Sequence, residues 1–268
     1  MSGERSADRF RVWASAMLAR NLHREHDDRH LDGPATVYQT STMVALLDGI
    51  YDSDVTIAEL LRHGDFGLGT FNHLDGEMVV IDGTCYHLRA DGSATIAPRD
   101  EKTPFAVVLW FRPDQAIEVT RSASRTVLRG LVDRAIASPN LTVAVRISGR
   151  FARVRTRTVM AQQPPYPPLV EATGHEPVND LEHVSGTLAG FRTPAFEQGI
   201  SVGGYHLHFL SHDRQHGGHA LDFTLEHGEI TLCSASELHM SLPRTAPFLA
   251  ADLAQADTSE QIKQAEGG

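Results

Sequence analysis

Cysteine is nearly absent: Cys85 and Cys233 are the two in 268 residues. Two thiols cannot build a disulfide framework, and no Cys-x-x-Cys pair exists to form a zinc knuckle or a redox motif. Long apolar runs are missing too. No stretch approaches the roughly 18 residues of a membrane-spanning helix, and Phe105–Phe111 (FAVVLWF) has the length of a buried strand. Basic charge is in deficit, with 24 Lys and Arg against 34 Asp and Glu and a net charge of −10. That argues against nucleic acid or an anionic membrane as partner. Near the N-terminus, Phe10–Leu22 is interrupted by Arg11 and Arg20 and makes a poor secretory core. We therefore expect a soluble, cytoplasmic protein. The remaining composition is ordinary for a globular chain of one large domain or two modest ones. Histidine is the exception, at 15 residues, so imidazole is the first place to look for metal or acid–base chemistry.

Helical and strand patterns occur in both halves of the chain, which predicts an α+β fold. Residues 1–37 read as a polar N-terminal arm, and we read its His23–His30 run (HREHDDRH) as solvated. Residues 38–169 read as an N-terminal α+β domain. Within it, Thr56 and Glu59 form a capping box before a helix that stops near Gly64. Asp75-Gly76, Asp82-Gly83 and Asp91-Gly92 punctuate short strands. A strand is expected over Leu141–Ile147 after a helix over Ser124–Ala137. Proline-rich Gln162–Leu169 reads as a linker. Residues 170–243 read as a β-rich, metal-binding domain and 244–268 as a helix-compatible tail. A faint repeat pairs Gly69-Thr70 and Tyr86-His87-Leu88 with Gly186-Thr187 and Tyr205-His206-Leu207. It predicts two related mixed-sheet units flanked by helices.

The segment Gly204–Phe223 (GYHLHFLSHDRQHGGHALDF) carries the most chemistry. On a strand His206 and His208 share a face, about 6.5 Å apart along the chain. His219 opens a returning antiparallel strand that brings it back toward them. Three neutral imidazoles leave coordination positions open for water or substrate, as at a catalytic metal. His212 and His216 lie in the connecting loop as second-ranked ligands. His73, His87, His175, His183, His227 and His239 are read as structural or solvated. Arg153, Arg155 and Arg157 alternate, so on a strand they share one face. We read the first two as blunting a solvent-facing edge strand and the third as able to bind a carboxylate. Glu77 follows the Asp75-Gly76 turn at the head of a strand.

Together these stretches resemble the alpha-acetolactate decarboxylase family. The matching segments are Gly69–Gly83 (GTFNHLDGEMVVIDG), Arg157–Val159 with PYPPL after it, Gly186–Pro194 (GTLAGFRTP) and the histidine block. The resemblance runs from about Tyr38 to the C-terminus. It implies a zinc-dependent carboxy-lyase of acetoin biosynthesis that converts 2-acetolactate to R-acetoin and carbon dioxide. It further implies a homodimer and a two-domain α+β fold with the metal near the domain boundary. Zn2+ would be held by His206, His208 and His219. Glu77 would be the active-site glutamate, Arg157 would hold the substrate and Thr70 would line its pocket. The family also brings a tail glutamate to the metal, here Glu266 or Glu260, of which Glu266 is preferred. The metal would stabilise an enediolate that a glutamate protonates. The competing reading is another three-His zinc lyase or hydrolase acting on a small oxygenated acid.

Overall fold

The structure, a computed structural model, describes residues 12–13, 34–173, 176–254 and 258–266. The His23–His30 run and His175 lie outside the described residues. In chain order, β1 (Val12–Trp13) and β2 (Ala35–Thr40) precede two short helices, α1 (Met43–Leu47) and α2 (Ile57–Leu60). Next come β3 (Phe66–Thr70), β4 (Glu77–Ile81), β5 (Thr84–Leu88), β6 (Ala94–Ile96) and β7 (Ala106–Leu109). Strands β8 (Gln115–Val119) and β9 (Ala123–Ser124) lead into helix α3 (Arg125–Ala135). The second half is dominated by β10 (Thr142–Arg157), β11 (Val178–Thr193), β12 (Gly204–Ser211) and β13 (Gly217–Ser241), with α4 (Leu169–Ala172) before β11. Helices α5 (Ala246–Ala250) and α6 (Thr258–Glu266) form the tail.

Local signals explain much of this. Thr56 and Glu59 make the expected reciprocal cap at the start of α2. Asp82 and Gly83 both take positive φ, 51° and 73°, the turn that matches the twist of the β4–β5 hairpin. Other features exceed the sequence expectation. The strand expected over Leu141–Ile147 continues to Arg157 as β10. It is no edge strand, being paired with β11 on one side and β13 on the other. Arg153 and Arg155 are exposed on it, and Arg153 reaches across to Asp180 of β11 at 2.7 Å.

The first sheet runs β2-β7-β3-β4-β5-β6. Strands β10, β11, β12 and β13 form a ring of hydrogen-bonded neighbours: β10 pairs with β11, β11 with β12, β12 with β13 and β13 with β10. Beyond the ring, β13 pairs in parallel with β2, from Ala235↔Ala35 to Ser241↔Thr40. That ladder joins both groups of strands into one network. The period of two sorts the side chains. Phe66 and Leu68 of β3, Val79 and Ile81 of β4, and Val107 and Leu109 of β7 face the ring, where they meet Ala189, Phe191 and Leu210. Their alternates Met78, Val80, Ala106 and Val108 pack with Ile57 and Leu60 of α2. The ring's other face buries Val145, Phe151, Phe209 and Phe223 with Leu128, Leu131 and Val132 of α3.

Gly190 of β11 leaves no room for a side chain between its neighbour β12 and Leu68 of the first sheet. A Cβ there would stand 2.1 Å from the carbonyl oxygen of His206 and 2.8 Å from Leu68. Gly190→Ala is therefore expected to part the layers and to lower unfolding free energy by about 1–3 kcal/mol, the range for overpacking. Chemical denaturation checks this; an unchanged midpoint would show that the layers separate freely.

Candidate metal centre

On β12 the odd residues Leu207 and Phe209 enter the ring's own core, while Leu210 joins the layer between ring and first sheet. His206 and His208 share that second face by parity. His219 pairs with His208 across the β12–β13 ladder and with Arg157 across the β10–β13 ladder. Its orientation depends on a bulge. The β10–β13 register passes from Arg155↔Asp222 to Thr156↔Ala220, skipping Leu221. Phe223 and Ala220 therefore both enter the ring core although they are three apart, and His219 turns to the opposite face. Arg125 of α3 donates from Nη1 to the Leu221 carbonyl at 2.6 Å and holds the bulge. A second irregularity on β10, between Phe151 and Arg153, does the same for Arg157. Val143, Val145 and Ile147 point into the ring core, and unbroken alternation would send Arg157 there too. Bulges re-aim side chains in this way beside functional sites.

The three imidazoles are buried, and their ligand nitrogens all lie within 4.8 Å of one another. His206 Nε2 and His208 Nε2 stand 3.2 Å apart. His208 Nδ1 is 2.7 Å from the carbonyl oxygen of Met78 on β4. A carbonyl only accepts, so Nδ1 carries the proton and Nε2 presents its lone pair to the cluster. Burial, with the nearby Arg157 charge, pushes the His206 pKa down to about 3. Burial, then His206, holds His208 well below the usual imidazole range. Both rings are thus neutral at neutral pH, as metal ligands must be. Nitrogens bound at 2.0–2.1 Å in a tetrahedral site stand ~3.3 Å apart, close to the separation here. The donor set fits a divalent cation. His212 and His216 are exposed in the loop and take no part in the cluster.

Glu77 and Thr70 face the same way because they continue the parity of Val79 and Leu68, and they are register partners across the β3–β4 pair. Glu77 Oε2 lies 3.5 Å from His208 Nε2. The Thr70 hydroxyl donates to the Gly76 carbonyl at 2.6 Å, so it fastens the turn that delivers Glu77 as well as lining the cavity. His87, read from sequence as structural, supports that turn from below. Its side chain is fully buried, with Nε2 2.5 Å from the Asp75 carbonyl oxygen and Nδ1 3.1 Å from Glu101 Oε1. Its ring stacks on Phe71, centroids 3.9 Å apart.

Arg157 meets two partners that the sequence did not indicate. Nη1 donates to Glu176 Oε2 at 3.1 Å, and Nη2 donates to the carbonyl oxygen of Ala265 in α6. Glu176 sits just ahead of β11, whose Val178 is the register partner of Arg157. Only the strand pairing reveals that proximity. Helix α6 packs against α1 and α4, burying Ile262 and Ala265. Glu260, the second tail candidate, is exposed and lies 3.7 Å from Lys263. The side chain of Glu266 lies outside the described residues. His206, His219, Glu77, Thr70, Arg157 and Glu176 border one cavity of about 30 Å³, closed by Met43, Leu46, Leu74, Phe105, Val159 and Leu169. It has room for a small molecule's reacting end and little bulk water.

The profile of the family described as Alpha-acetolactate decarboxylase matches residues 37–255. The alpha-acetolactate decarboxylase of Klebsiella aerogenes is 47% identical over 232 residues, covering 87% of this chain and 89% of its own. The crystal structure of the Bacillus subtilis strain 168 enzyme is 42% identical and superposes with a TM-score of 0.85, covering 87% of this chain and all of that one. A Staphylococcus aureus protein described as similar to alpha-acetolactate decarboxylase is 30% identical with a TM-score of 0.84, over 86% of this chain and all of its own. With the match spanning most of its length and 47% identity to a curated member, this chain belongs to the alpha-acetolactate decarboxylase family.

Proposed function

We propose that the protein decarboxylates 2-acetolactate to R-acetoin and carbon dioxide. The observation that carries this reading is a buried cluster of three imidazoles, two of which, His206 and His219, border one small, mostly apolar cavity together with Glu77 and Arg157. A divalent ion held by His206, His208 and His219, zinc in our reading, supplies Lewis-acid stabilisation of negative charge on oxygen. The chain's own residues do the rest. Arg157 orients the substrate through its charged oxygens. The apolar wall formed by Met43, Leu46, Phe105 and Leu169 takes the two methyl groups and keeps water out. The bond between the tertiary carbon and the carboxylate breaks, and its electron pair passes to the neighbouring ketone as an enediolate. Glu77 then delivers a proton to that carbon from one face, which fixes the configuration of the product. Water returns the proton to Glu77, so each turnover consumes one proton and releases one carbon dioxide. A glutamate of α6, Glu266 in our reading, adds a second carboxyl on the tail side. We further propose that residues 38–169 and 170–243 form the two domains, with the site at their boundary; β10 of the first pairs with β11 and β13 of the second.

Racemic acetolactate incubated with the purified protein is expected to give a single acetoin enantiomer by chiral chromatography, and a strong chelator to abolish it. Formation no faster than the spontaneous rate, from folded and metal-loaded protein, would sink the assignment. Glu77→Gln should retain the metal while turnover drops about 10²–10⁴-fold, the usual worth of a positioned acid; unchanged turnover removes Glu77 from the mechanism. His206→Ala should lose metal and activity together. A chain ending at Glu260 lacks the buried Ile262 and Ala265 and the acceptor for Arg157. It should lose most activity while keeping the ring, as read by circular dichroism; full activity would make α6 dispensable.

A further inference from the structure

Arg157 is held differently from an arginine that waits open for a carboxylate. Both of its terminal nitrogens already donate to the protein, one to Glu176 and one to Ala265. The guanidinium and the Glu176 carboxylate are largely withdrawn from solvent, at 12% and 4% side-chain exposure, and both border the cavity shared with His206, His219 and Glu77. We propose that Glu176 is a positioning residue that sets how strongly Arg157 grips the substrate's carboxylate, keeping that grip deliberately weak. The inference rests on the reading of the cavity as the site of decarboxylation.

The reason lies in where the charge goes. The reactant carries its negative charge on the carboxylate. In the transition state that charge is leaving for the ketone oxygen, and the departing carbon dioxide is neutral. A bare guanidinium against the carboxylate would stabilise the ground state more than the transition state, so tighter binding would slow the reaction. In a buried cavity an unbalanced charge acts with little screening. Glu176 supplies the balance. Its carboxylate offsets the guanidinium, and its hydrogen bond, with that to Ala265, fixes the direction in which the remaining N–H groups point. Arg157 then orients the substrate without pinning the charge that must leave.

Glu176→Gln separates this role from a structural one, because the amide still accepts a hydrogen bond from Arg157 and lacks only the charge. With the metal-loaded enzyme, KM and kcat are expected to fall together, each by about five- to tenfold, the pattern of ground-state overbinding. Equilibrium binding gives a readout apart from turnover. The probes are 2-hydroxyisobutyrate, an anion that has no ketone and cannot react, and 3-hydroxy-3-methylbutan-2-one, in which the carboxylate of acetolactate is replaced by a methyl group. The variant should bind the anion about tenfold more tightly and the neutral ketone within twofold of the parent. A KM that rises, or weakening of both ligands together, would show Glu176 to be a structural partner only. Should the glutamine variant not fold, Glu176→Asp draws the charge back by one methylene and should tighten the anion about threefold; no gain overturns the role. Parent enzyme that forms no acetoin overturns the reading of the cavity and this inference with it. Acetoin from the parent, without tighter anion binding by the variant, overturns the role of Glu176 alone.

Discussion

The centre of this molecule depends on one backbone position with two neighbours. His219 stands where the ring of strands closes, paired with His208 on one side and Arg157 on the other. Antiparallel pairing brings directly opposed residues within side-chain reach, so that closure sets two ligands and the guanidinium side by side before any side-chain preference acts. The third imidazole follows from parity with His208. What remains is to turn each residue to the correct face, and the irregularities in the β10–β13 ladder, three in all, do that. A one-residue slip in a strand sends every side chain to the other face. Here the slip is built in three times, at Glu226 and Leu221 of β13 and at Ala152 of β10, so that the ladder changes which residues face the core along its length.

The first sheet contributes a different kind of constraint. It supplies a carbonyl, a carboxylate and a wall. Met78 and Glu77 are adjacent on β4 and act on His208 from two directions, the first through its backbone oxygen and the second through its side chain. Strand parity separates them: the Met78 side chain is committed to the core beneath the sheet, while Glu77 faces the ring. The Asp75-Gly76 turn ahead of them is held by Thr70 above and His87 below. A Cβ at Gly76 would meet the Leu88 carbonyl oxygen at 2.3 Å, and its φ of 79° suits glycine. The carboxylate thus emerges from a turn with little freedom to shift.

Much of this was legible in the sequence because the signals are local. The two-residue spacing of His206 and His208, the returning strand with His219, the Thr56 cap and the Asp-Gly turns each depend on a few neighbouring residues. Resemblance to the family added Thr70 and gave Glu77 and Arg157 the roles that spacing alone left open. Sequence failed where pairing across long separations decides. Alternation alone suggested that Arg153 and Arg155 line an edge, but whether a strand is an edge depends on partners some 25 to 70 positions away. Glu176 carried no signal in the sequence because its partner is reached only through the β10–β11 register. His87 looked incidental because its task, supporting a turn, leaves no periodic mark.

The positions 206 to 219 that hold the three imidazoles form a single hairpin, whereas Met78 meets His208 across a separation of 130 residues. Contacts this local close early and at low entropic cost, while distant ones wait for the chain to be ordered. The imidazole cluster is therefore set by a short chain closure, and the groups that surround it by long ones. A hairpin that has gathered its ligands still lacks the carbonyl that fixes the His208 tautomer, the carboxylate of Glu77 and the guanidinium of Arg157.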